Sequence, residues 1–220
     1  MWMQPQIKNK RQLRRFARSV GTPPLFYFKG IQCYGDFVRV LVMPDTEDKS
    51  MWQDYRRVAP VLKHCRRLQT LDLSRCLGMN GDEFVSLFSR NPWMCYSLTS
   101  LSIGSDELTA DILVAVISML RNVKRLNLDN SHTDNDVLYA IAKFLPNIES
   151  LSIDSCDGVS YNGIQALLCD CPNLTYLSPY ATNDSASRSL IREINARGGH
   201  VIVNAIPYDV FNTYDPDLPW

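Results

Sequence analysis

Apolar and polar positions follow two alternating rhythms along this chain. The stretch 68–76, LQTLDLSRC, places Leu68, Leu71 and Leu73 at its first, fourth and sixth positions. Five other stretches overlay it: FVRVLVMPD (37–45), LTSLSIGSD (98–106), VKRLNLDNS (123–131), IESLSIDSC (148–156) and LTYLSPYAT (174–182). Their starts settle to a spacing of 25 or 26 residues after two longer early units. The first, fourth and sixth places are apolar in every copy except the last, where Pro179 holds the sixth. The ninth place is small and able to hydrogen bond each time: Asp45, Cys76, Asp106, Ser131, Cys156 and Thr182. Such a short alternating stretch predicts a strand, and its recurrence predicts a repeat array.

Between the strands the apolar period changes to about 3.6. Val58, Val61, Leu62 and Cys65 follow i, i+3, i+4, i+7, as do Leu113, Val116, Ile117 and Leu120. The pattern returns at Leu138, Ile141, Ala142 and Leu145, at Ile164, Leu167, Leu168 and Cys171, and begins at Phe84, Leu87 and Phe88. Thr109, Thr133 or Asp134, and Ser160 stand just upstream as N-cap candidates. Three residues before each strand stretch, from the second onward, come Cys65, Cys95, Leu120, Leu145 and Cys171. Cysteine and leucine share that slot, as expected of a small buried hydrophobe. Each unit therefore predicts a strand, a turn and one helix. Since no unit can bury its apolar faces alone, stacking gives a parallel sheet with helices outside.

Composition narrows the functional classes. Hydrophobic content of 45% and charged content of 21% are ordinary for a folded chain. A formal net charge of +0 gives no reason to expect nucleic acid as the partner. No run of about 18 apolar residues occurs, so no membrane span is expected. The cysteines (Cys33, Cys65, Cys76, Cys95, Cys156, Cys169 and Cys171) are odd in number, and no hydrophobic signal segment precedes them. That combination favours free thiols in a reducing compartment, the cytoplasm or nucleus. The glycosylation-like triplets at 173–175 and 183–185 then read as chance matches.

No motif of a hydrolase, metalloprotease, nucleotide-binding or dinucleotide-binding site occurs. His64, His132 and His200 lie in separate units, and His132 beside Asp134 or Asp136 has no nucleophile in a matching place. Cys169-Asp170-Cys171 suggests a metal pair, but Cys171 falls in the buried slot and no second pair has ligand spacing. The expectation is a non-enzymatic chain without metal or cofactor.

The segments LQTLDLSRCLGMNGDEF, IESLSIDSCDGVSYNGI and CPNL (171–174) resemble leucine-rich repeats of the cysteine-containing subtype. The resemblance covers roughly residues 37–203 and implies a right-handed α/β solenoid of about six repeats, with parallel strands on the concave face and helices on the convex face. The subtype is familiar from F-box/LRR proteins, the substrate receptors of cullin-based ubiquitin ligases. RRFARSVGTPPLFYF (14–28) resembles the end of an F-box, while the earlier F-box helices have no counterpart here. The resemblance thus implies a protein partner, a ubiquitylation substrate or a regulator bound in the same way. A Skp-type adaptor is not expected without those helices. In such repeats an Asn or Cys at the turn leaving the strand satisfies backbone groups of neighbouring turns, and Cys76 and Cys156 are expected to do so.

Both ends differ from the array. Residues 1–36 read as a basic helical cap in which Leu13, Phe16, Ala17 and Val20 line one face; the first 35 residues hold Lys8, Lys10, Arg11, Arg14, Arg15, Arg18 and Lys29 and no acid. The alternative is a mitochondrial transit segment, making the protein an imported assembly factor. A further alternative is an inert scaffold or degenerate product. Residues 187–197 read as a last helix and 200–204 as a closing strand. The tail, 204–220, is acidic and aromatic; a disordered end and a segment folded back over the sheet both remain open.

Alternation across a strand puts the third, fifth, seventh and eighth places on the concave face. Those places hold Arg39 and Leu41; Thr70, Asp72, Ser74 and Arg75; Ser100, Ser102 and Ser105; Arg125, Asn127, Asp129 and Asn130; Ser150, Ser152, Asp154 and Ser155; and Tyr176, Ser178 and Tyr180. The expectation is a peptide-binding face with Tyr176 and Tyr180 as anchors and Asp72, Asp129 and Asp154 meeting basic groups. The competing reading is an ordinary solvated sheet face.

Overall fold

The structure is a computed structural model that describes residues 4–5, 10–22, 33–42, 55–74, 80–104, 107–156 and 158–178, with residues 189, 192, 195 and 196 beyond them. Helix α1 (Lys10–Val20) and a short 3-10 helix (Tyr34–Phe37) precede the first strand, β1 (Val40–Val42). Then follow α2 (Tyr55–Leu62), β2 (Thr70–Asp72), α3 (Gly81–Arg90), α4 (Pro92–Ser97), β3 (Ser100–Ser102), α5 (Ala110–Met119), β4 (Arg125–Asn127), α6 (Asn135–Phe144), β5 (Ser150–Ser152), α7 (Tyr161–Asp170) and β6 (Tyr176–Ser178). The six strands form one sheet, all parallel, in chain order. The predicted sixth-unit helix at 187–197 lies largely outside the described residues, and the strand at 200–204 and the tail lie wholly outside them.

The apolar places explain the stacking. Leu41, Leu71, Leu101, Leu126, Leu151 and Leu177 pair in register across the sheet, and each is buried. Burying a leucine is worth about 2 kcal/mol, so this row alone holds neighbouring units together. Val38, Leu68, Leu98, Val123, Ile148 and Leu174 make a second buried row, and Leu73, Ile103, Leu128 and Ile153 a third. The helices close the same core with Phe84, Leu87, Phe88, Leu113, Val116, Ile117, Leu138, Ile141, Ile164 and Leu167. Cys65, Cys95, Leu120, Leu145 and Cys171 are all buried in their shared slot.

One backbone device recurs at every step. The Arg39 carbonyl accepts from the N–H groups of Gln69 and Thr70. The carbonyls of Gln69, Thr99, Lys124 and Glu149 each accept the equivalent two N–H groups from the next strand. This device corrects the repeat overlay in the first unit. Val40 pairs with Thr70 and Leu41 with Leu71, so the first copy begins at Val38, not Phe37. A one-residue slip exchanges the faces of a strand. Leu41 therefore lies in the core and Arg39 leaves the row to which the overlay assigned it. Val40 and Val42, both half-buried, take the places expected for Arg39 and Leu41.

The second unit also differs from one strand and one helix. Asn91-Pro92 splits its helical stretch into α3 and α4. A residue before proline is pushed out of the helical region, and Asn91 has φ −126 and ψ 63. Its side chain donates to the Leu87 carbonyl at 2.7 Å, so the break is hydrogen bonded. Asn80 caps α3 in a reciprocal pair with Glu83. Asp134, of the two candidates, caps α6 by accepting from the N–H groups of Asp136 and Val137. At the N-terminal end, Leu13, Phe16 and Val20 of α1 join the common core, and α1 packs on α2 and the 3-10 helix.

Candidate protein-binding face

The third place of each strand is half-buried throughout: Val40, Thr70, Ser100, Arg125, Ser150 and Tyr176. These residues pair in register, one from each strand. At about 4.8 Å between strands the row is roughly 24 Å long, the reach of about seven extended residues. The fifth place forms the floor beside it. Val42, Ser102 and Asn127 are half-buried, while Asp72, Ser152 and Ser178 are 8%, 3% and 2% exposed.

From β4 to β6 the floor is polar and internally bonded. Asp129 Oδ1 accepts from Ser152 Oγ at 2.6 Å and from the Asp154 N–H at 2.8 Å. Asn127 Nδ2 donates to Asp129 Oδ2 at 2.8 Å, and the Asp129 N–H returns to Asn127 Oδ1 at 3.0 Å. One unit further on, Ser178 Oγ donates to Asp154 Oδ1 at 2.6 Å. Asp72 Oδ1 accepts from the N–H and hydroxyl of Ser74. Each of these aspartates, which the sequence sets to meet basic groups, commits at least one carboxylate oxygen to donors of its own turn or of the next unit, because a strand end leaves N–H and hydroxyl donors that need an acceptor.

Burial pushes the Asp129 carboxyl above its usual range despite the donors from Ser152, Asp154 and Asn127 that oppose the shift. Burial likewise raises the Tyr176 phenol, with the charges of Asp154 and Asp129 adding to it and a hydrogen bond with Ser178 opposing it. Tyr176 thus stands at the acidic end of the row. Arg125 occupies the middle of it. Arg39 folds back instead, donating to the carbonyls of Asp36 at 2.6 Å and Val38 at 3.3 Å. Tyr180, Arg75 and Ser105 lie outside the described residues.

The eighth place is a turn position. Asn130 and Ser155 have φ of 57 and 60 and are exposed. Just beyond, the Cys156 thiol donates to the Leu128 carbonyl at 3.4 Å, one unit back, and lies 3.9 Å from Ser131 Oγ. Ser131 itself donates to Leu128 and bonds Thr133 Oγ1 at 2.8 Å. The repeat overlay did not flag Thr133 in this network; its sequence signal is a hydroxyl residue two places after the ninth. Cys76 lies outside the described residues. Burial raises the Cys156 thiol, pushes Cys65 up to about 12 and Cys171 up to about 11. Such thiols stay protonated near neutral pH and act as packing and hydrogen-bonding groups. Among the described residues no group of three or more His, Cys, Asp or Glu side chains is placed to hold a metal, and no helix is long and apolar enough to cross a membrane.

A parallel sheet built from strand–helix units in chain order is a leucine-rich-repeat-like α/β fold. Among solved structures, the chain is similar to one in the crystal structure of the Rad7 and Elc1 complex in yeast, with a TM-score of 0.55 and 17% sequence identity. The likeness covers 73% of this chain and 41% of that one, so this chain spans less than half of that neighbour's length. No family model and no curated protein matches the sequence.

Proposed function

We propose that this chain is a non-enzymatic protein-binding solenoid whose sheet face receives an extended segment of a partner protein. The observation that carries the reading is the third-place row, one side chain per strand, over a floor that is polar and already hydrogen bonded from β4 to β6. A pre-bonded floor does not rearrange when a ligand arrives, which lowers the ordering cost of binding. Ser100 and Ser150 leave room along the row, and Tyr176 supplies an aromatic anchor at one end. The charges of Asp129 and Asp154 beneath Tyr176 favour a basic group there.

In this reading the solenoid is right-handed, with this face concave and the helices convex, which the general right-handedness of parallel crossovers supports. The cysteine-bearing repeats and the F-box-like segment at 14–28 support a role related to F-box/LRR substrate receptors: presenting a ubiquitylation substrate, or holding a regulator in the same way. The Rad7 neighbour occurs in a complex with another protein, Elc1, which is in keeping with a protein partner for this fold. The odd cysteine count supports a cytoplasmic or nuclear setting.

The test uses tagged full-length chain in quantitative affinity capture. Ser100→Lys with Ser150→Lys fills the row without touching the bonded floor. Proteins that bind the face are expected to drop at least tenfold in recovery with this variant and to persist with Gln165→Lys on the exposed side of α7. Equal recovery from both variants would remove the sheet face from the account.

A further inference from the structure

Helix α1 has a charge pattern that its packing does not explain. Its apolar stripe, Leu13, Phe16 and Val20, is buried in the common core. Arg11, Arg14, Arg15 and Arg18 are all exposed. They stand at i, i+3, i+4 and i+7, so they form one stripe about 10 Å long on the side away from the core. None of the four makes an ion pair among the described residues. The helix contains no acid, and its first turn is basic. Like charges therefore repel across each turn, and the bases at the start oppose the helix dipole. Among the described residues the core stripe, and not the arginines, holds this helix in place.

The surroundings add to the positive field. Lys63, Arg66 and Arg67, in the segment after α2, are exposed. The His64 ring lies against Gly21 at the end of α1. Burial lowers the His64 pKa, and Lys63 and Arg66 lower it further against the opposing charge of Asp36. Asp36 itself is buried and accepts from the Cys33 N–H.

We propose that the arginine stripe of α1 docks an acidic, Asp- or Glu-rich peptide segment of a partner protein. Guanidinium groups pair with carboxylates through two parallel hydrogen bonds, and four such forks along one helix face match carboxylates spaced along a short segment. A duplex or a lipid surface presents many phosphates over a wide area. The chain's net charge of +0 means that such a surface would also meet its acids. A short acidic segment needs the stripe alone. This surface is separate from the sheet face and stands or falls independently of it.

The experiment is fluorescence anisotropy of a labelled decaglutamate peptide titrated with the full chain at low salt. The parent chain is expected to bind it and to lose affinity as salt is added. Arg14→Gln, Arg15→Gln and Arg18→Gln together are expected to weaken binding roughly tenfold, at modest gain per exposed pair. That variant is expected to melt no lower than the parent, because repulsion is removed and no contact is lost. A Ser100→Gln, Ser150→Gln variant, which fills the row without adding charge, is expected to bind the peptide as the parent does, which separates failure here from failure of the sheet-face reading. Absence of binding by the parent would overturn the proposal, as would undiminished binding by the arginine variant. A lower melting temperature would give the arginines a structural role and also overturn it. So would tighter binding of a single-stranded oligonucleotide or of phosphatidylserine vesicles, which would make this a nucleic-acid or membrane surface.

Discussion

Asp129 shows how one side chain serves the fold and shapes the face. Its carboxylate joins β4 to β5 through Ser152 and the Asp154 N–H, and burial makes the charged form costly. Asp129→Ala would leave the Asp154 N–H and the Ser152 hydroxyl without their acceptor, at about 1–3 kcal/mol. Asp129→Asn sheds the charge and keeps an acceptor for Ser152 and Asp154, but it sets an amide against the Asn127 Nδ2 donor, so it is expected to lose less stability than Asp129→Ala at neutral pH. The pH dependence follows from the raised pKa. As pH falls from neutral through that value, the native state takes up the proton more readily than the unfolded chain, and the parent gains stability. The asparagine variant has no such gain, so its stability relative to the parent is expected to fall on acidification. Urea unfolding of the two proteins at neutral and mildly acidic pH checks this; a relative stability that rises on acidification would contradict it. The sequence located Asp129, Asp154 and Cys156 at the right repeat places, because place is set by period. It could not say where each side chain's hydrogen bonds go, since these depend on the donors of the next unit, 23 to 28 residues away.

Among the elements, the helices and the later strands were legible because alternation and the 3.6 period leave few choices. β1 was not. In FVRVLVMPD the first seven residues are apolar except Arg39, so the apolar places fit equally well in two registers. The deciding contact is the Arg39 carbonyl with the N–H groups of Gln69 and Thr70, a backbone interaction that leaves no mark on side-chain pattern. The split of α3 from α4 falls at Asn91-Pro92, where proline ends the stripe that begins at Phe84. A further element-level feature is Gly104, at the seventh place of its unit. A Cβ there would run into the Asp129 carbonyl. Gly104→Ala must therefore separate β3 from β4 locally, and is expected to cost about 1–3 kcal/mol by thermal or denaturant melting. Unchanged stability would mean that the two units are not held at this distance.

For the whole molecule, zero net charge conceals an uneven distribution. The N-terminal helix carries exposed arginines with no ion pair among the described residues, while Asp129 and Asp154 lie under the last described strands. The composition excluded little beyond extreme classes, and the repeat carried nearly all of the architectural information, because each unit is stable only against its neighbours. The partner is legible only as chemistry: an extended segment on the sheet, with a basic group near Tyr176. The most direct measurement is site-specific photocrosslinking in cells from a photoreactive phenylalanine derivative placed at position 150 on β5, compared with position 165 on α7. The account predicts a discrete protein adduct from position 150 that is absent from position 165. Adducts from position 165 alone would place the partner on the helices and contradict it.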